Sequence, residues 1–78
     1  MAVNSNINTI YVVDVHLATD TEYALTPVRY SVRNENDEEL NSYVARGDAM
    51  GFAQGVQFAL GGIDGCEIAE TREASEAL

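Results

Sequence analysis

From residue 8 to residue 18 the chain reads Asn-Thr-Ile-Tyr-Val-Val-Asp-Val-His-Leu-Ala, a run dense in β-branched and aromatic residues. Such residues fit a pleated, half-buried surface, so the run predicts a first strand. Counting by two places Tyr11, Val13, Val15 and Leu17 on one face and Ile10, Val12, Asp14 and His16 on the other. The first set is apolar throughout and is the expected core face. Thr19-Asp20-Thr21-Glu22 is a polar break. Pro27 cannot donate to a ladder, which suits it to the entry of a second strand. From there Val28, Tyr30 and Val32 alternate inward, with Arg29, Ser31 and Arg33 outward.

Asn34-Glu35-Asn36-Asp37-Glu38-Glu39 holds turn formers and four carboxylates and no apolar residue, the composition of a hairpin loop. It leads to a third strand over residues 40–46. Leu40 and Val44 there compete with Tyr43 and Ala45 for the core. If Leu40, Ser42 and Val44 face inward, Tyr43 is exposed beside Arg29 and Arg33.

The period then changes. Asp48 is a good N-cap, and Ala49, Phe52, Ala53, Val56, Ala59 and Leu60 follow at spacings of three and four, a stripe that would face a sheet. Phe52 is its largest member. Gly61-Gly62 predicts a left-handed stop. Gly51 and Gly55 inside the helix suggest a close backbone approach, since glycine there is otherwise a cost. Residues 63–70 read as a fourth strand, with Cys66 and Ile68 on one face and Glu67 and Ala69 on the other. The expected fold is α+β: a four-stranded, mainly antiparallel sheet with one helix on one face, in the order β-β-β-α-β. The fourth strand is expected beside the first and pointing the same way. Residues 1–7 and 73–78 are expected to fray.

Length and composition narrow the function. Seventy-eight residues allow a single domain, 1–78. The charges are lopsided: four arginines and no lysine against 13 Asp plus Glu, a net of −9. Nothing in that balance could neutralise a run of phosphates, which argues against direct binding of nucleic acid or anionic membrane. The start carries no basic region of a signal peptide, and no apolar run approaches the roughly 18–20 residues of a membrane span. One cysteine, Cys66, excludes an internal disulfide and fits a reducing compartment such as the cytosol.

Chemistry is sparse. Asp14 and His16 are an i, i+2 pair that could touch, but no nucleophile is tied to them, and they read as polar residues on the solvent side of the sheet. Cys66 reads as a buried, inert core residue. The hairpin acids lack the ligand spacing of a calcium loop, and the glycine-rich pieces lack the lysine of a phosphate loop. No catalytic residue, metal ligand or cofactor site is expected.

What stands out is the carboxylates. They fall in two places, the hairpin loop (Glu35, Asp37, Glu38, Glu39) and the last strand with its tail (Glu67, Glu70, Glu73, Glu76). A field of one sign steers association with a basic partner. The expected contact set is Glu35, Asp37, Glu38, Glu39, Glu67 and Glu70, with Tyr43 as an aromatic anchor.

The small size, the β-β-β-α-β order, the acidic hairpin 34–39 and the glycine-punctuated helix 48–62 together resemble the small phage-encoded anti-CRISPR inhibitors. The likeness is one of architecture and charge over the whole chain, and no single motif carries it. It implies a protein of the bacterial host cytosol whose carboxylates mimic phosphates. They would occupy a basic groove where a CRISPR-Cas effector holds DNA or guide RNA. The second reading is a small phage or bacterial assembly protein that self-associates through a sheet edge or its helix glycines. The expected state is accordingly a monomer or a small homo-oligomer.

Overall fold

Strand β1 (Asn8–Leu17) lies inside the sheet with a neighbour along each edge. The computed structural model describes residues 8–17 and 27–75. Strands β2 (Arg29–Arg33) and β3 (Glu39–Tyr43), helix α1 (Arg46–Ala59), a 3₁₀ turn (Gly62–Asp64) and β4 (Cys66–Ser75) complete the order. The sheet runs β3-β2-β1-β4, with one helix packed on it, so the class is α+β. It is mixed rather than mainly antiparallel. β1 and β2 pair antiparallel, as do β2 and β3, but the longest ladder is the parallel pairing of β1 with β4, from Asn8 opposite Cys66 to Leu17 opposite Ser75. A helix running back from the end of β3 returns the chain to the end where β1 began, and parallel pairing follows.

The core face of β1 is the reverse of the one expected. Ile10 and Val12 pack with Val32, Cys66, Ala49 and Ala53 beneath the helix, and all six are buried. Val13 and Val15, on the other face, are buried too. A strand flanked on both edges and apolar on both faces carries no alternation from which the helix side can be read. Asp14 and His16 are not on the solvent side either: they share the helix-facing parity, His16 is buried, and Asp14 lies within the field of Arg46 at the start of the helix.

Within α1, Ala49 and Ala53 are fully buried against the sheet, while Met50, Phe52 and Val56 pack against the same core. Ala59 and Leu60, expected inward, are exposed. The helix begins at Arg46, not after Asp48. The amides of Asp48 and Ala49 both donate to the Ala45 carbonyl, so Asp48 already sits in the first turn, where its charge suits the helix dipole. Gly61, at φ 109°, ends the helix in the left-handed region. At Gly65 a Cβ would lie 2.6 Å from the Leu60 carbonyl oxygen, so only glycine lets the turn into β4 close. Gly51 and Gly55 support no close approach within the chain, for a Cβ at either would meet nothing within 4 Å. Each costs up to about 1 kcal/mol against alanine.

β3 is shorter than expected, ending at Tyr43, and a register irregularity between Val32 and Arg33 accompanies its start. β4 begins later and ends later than expected, at Ser75, because it follows β1 along its whole length. Glu73 therefore belongs to a paired strand, not to a frayed tail. The expected break at 19–22, most of the frayed ends (1–7 and 76–78) and Glu76 lie outside the described residues. No helix among the described residues is long and apolar enough to cross a membrane.

Candidate acidic interface

The hairpin between β2 and β3 is organised by Asn34, a residue whose role the sequence reading missed. Its side-chain oxygen accepts hydrogen bonds from the amides of Asn36 (2.9 Å) and Glu38 (3.0 Å), and its side-chain nitrogen donates to the Glu38 carboxylate (2.7 Å). The Asn34 carbonyl also accepts from the Asp37 amide, and the Asn34 amide donates to the Glu38 carbonyl. An asparagine opening a turn is the available signal, because its side chain can bond the backbone two residues on. Asp37 takes a positive φ of 64°, which Asp and Asn tolerate better than other side chains.

On this scaffold the four hairpin acids separate into two kinds. Glu35, Asp37 and Glu38 project at the tip, and Asp37 is 82% exposed. Glu39 is different. Its carboxylate accepts from the Ser31 hydroxyl (2.6 Å) and from Arg29 (2.6 Å), and these bonds, the serine's first, hold it below the usual carboxylate range. Glu73 is engaged in the same way. Arg33 grips it with two parallel bonds of 2.7 and 2.9 Å, which lowers its pKa and raises that of the guanidinium. The Arg33 Nε also donates to the Ser31 hydroxyl, and Nη1 reaches Asp37 at 3.3 Å. These residues form one polar network across the face of the sheet opposite α1.

In β4, Glu70 pairs with Arg46 of the helix, whereas Glu67 is exposed. Tyr43 is not the exposed anchor expected beside Arg29 and Arg33. It faces the helix, where its ring lies 5.9 Å from that of Phe52. The exposed residue after it is Val44, at 83%. Parity explains the switch: the pairing of Tyr43 with Tyr30 puts both on the helix side.

The topology brings together acids that lie far apart in the chain. Arg33, Tyr11 and Ala69 form one row across β2, β1 and β4, so the tip at 34–38 and the start of β4 share one end of the sheet. Glu35, Asp37, Glu38, Asp64 and Glu67 all belong to the segments at that end. The C-terminus of α1 points the same way with no basic residue in its last turn, which adds the negative pole of the helix dipole. Burial pushes the Cys66 thiol up, and the fields of Glu35 and Glu67 push it further; one thiol thus feels both acidic segments. Between the tip and β4 runs an open groove of about 310 Å³ over Tyr11 and Val13, lined by both signs of charge: Glu35 and Asp37 on one hand, Arg33 and Arg72 on the other. Among the described residues no group of three His, Cys, Asp or Glu side chains is placed to hold a metal ion.

No protein-family model, curated protein or solved structure matches this chain.

Proposed function

We propose that this protein is a non-enzymatic inhibitor that binds a basic, nucleic-acid-handling bacterial protein, of the CRISPR-Cas effector kind, through its acidic end. The observation that supports the reading is the convergence of Glu35, Asp37, Glu38, Asp64 and Glu67 on one end of the sheet. Arg33, which leads into that end, is already engaged by Glu73 and Asp37. Carboxylates held on a rigid turn can meet lysine and arginine side chains in charge-assisted pairs without first being ordered. Glu39 and Glu70 contribute less, because their charges are engaged within the chain.

The test is displacement of DNA. A panel of purified CRISPR effector complexes is bound to labelled target DNA and titrated with the protein in a gel-shift assay. The expected result is release of DNA from a member of the panel. That release should weaken between about 0.1 and 0.5 M salt as the Debye length contracts from about 10 Å to a few ångströms. Glu35→Gln, Asp37→Asn and Glu38→Gln together should cost at least about tenfold, or roughly 1.4 kcal/mol, in binding. Displacement from no member of the panel, or displacement indifferent to both salt and the triple change, overturns the reading.

A further inference from the structure

The outward face of α1 is unlike the rest of the surface. Residues 49–63 carry no charged side chain in a chain of net charge −9. Opposite the core-facing Ala49, Ala53 and Val56, the helix presents Gly47, Gly51, Gln54, Gly55 and Phe58, all exposed. Phe58 is 84% exposed, and Ile63 in the turn beyond is 81% exposed. A Cβ on any of the three glycines would meet open space, so the fold itself makes no use of their bareness. The helix thus has bare backbone toward one end and a bulky aromatic at the other.

From this arrangement we infer that the outer face of α1 is a self-association surface that pairs with the same face of a second copy. The occupant follows from shape and charge. Phe58 lies eleven residues along the helix from Gly47, about 16 Å at 1.5 Å per residue. An antiparallel twofold pairing centred between Phe52 and Ala53 therefore sets Phe58 of each copy over Gly47 of the other, with Gly51 opposite Gln54. The knob at one end fills the hollow at the other, as an isologous interface requires. A basic partner finds no carboxylate on this stretch, whereas a second copy meets there the part of its twin that does not repel it.

The area sets the strength. A helix face about 21 Å long and 10 Å wide is well short of the roughly 800 Å² per partner of a standard interface, so the dimer is weak and forms only at high protein concentration. Because the centre of the contact carries no charge and the two copies repel elsewhere, Asp48 included, salt should strengthen it, the reverse of its effect on a basic partner.

Sedimentation velocity of the full chain under reductant, from about 5 to 500 µM, reads the association directly. The expected result is a monomer–dimer equilibrium that shifts toward dimer in about 1 M salt. Phe58→Ser and Gly51→Gln should each abolish it, with the melting temperature unchanged or higher for Gly51→Gln, which shows that the fold persists. Amide shifts that move on dilution should map to residues 47–58. A chain monomeric at 500 µM in high salt overturns the inference. So does a dimer that survives both substitutions, or dilution shifts confined to the open edges of β3 or β4, which would make the contact a sheet extension.

Discussion

The two faces of this sheet are built from alternate residues of the same strands, yet different forces hold them. Toward the helix, Ile10, Val12, Val32 and Cys66 meet Ala49 and Ala53 in an apolar layer. On the other side Ser31 is as fully buried as Val32, but it sits at the centre of a network of Arg29, Arg33, Glu39 and Glu73. The apolar layer is non-directional and responds to lost volume. The network is directional and responds to lost partners, because a guanidinium or carboxylate left at a partly covered site loses its compensation. A chain of 78 residues has little apolar surface to bury, and among the described residues the second side joins the buried Val13 and Val15 to this polar network. The same network commits Glu39 and Glu73 internally and reaches the tip at Asp37, 3.3 Å from Arg33, while Glu38 is held by Asn34.

Three measurements can break or sharpen that contrast. The largest effect is expected at the apolar layer: Ile10→Ala should cost about 2–5 kcal/mol in urea unfolding, and the loss should vary little with salt. A loss below about 0.5 kcal/mol would mean that this layer is not the centre of the fold.

Arg33→Met should come next, at about 1.5–3 kcal/mol, since it removes the paired bonds to Glu73 and leaves Ser31 and Asp37 without their donor. Combined with Glu73→Gln in a double-mutant cycle, it should show a coupling of at least about 0.5 kcal/mol. Strict additivity would reduce the bidentate pair to an ornament of the surface.

The smallest effect is in the acid limb of stability. Glu39 and Glu73 both titrate below the ordinary 4.5 when folded. The unfolded chain therefore takes up their protons first. The stability they contribute is present above about 4.5 and is lost as pH falls from there through their lower folded values. Both side chains are about 40% exposed, so solvent screening keeps the gain modest. The variant Glu39→Gln with Glu73→Gln should melt lower than the parent at neutral pH and lose less on acidification to about pH 3. Parallel melting curves would place the acid sensitivity elsewhere in the chain.

Much of the architecture is legible from local pattern alone. The β-branched run at 8–17, the alternation from Arg29 to Arg33, the three-and-four spacing around Ala49 and Ala53 and the stop at Gly61 each name an element, because propensity and period act within a few residues. The acidity of the hairpin is legible in the same way. Face and partnership are not. Whether Ile10 or Tyr11 meets the helix depends on which side of β1 the helix crosses, and β1 offers apolar residues on both. Tyr43 turns inward because its strand is in register with Tyr30. Glu39 and Glu73 are withdrawn from the acidic surface by Ser31, Arg29 and Arg33, residues from 8 to 40 positions away that only the sheet brings within bonding distance. The sequence determines which residues are charged and which segments are strands or helix; pairing across the sheet decides which charges remain for a partner, because hydrogen bonds and ion pairs form between neighbours in space.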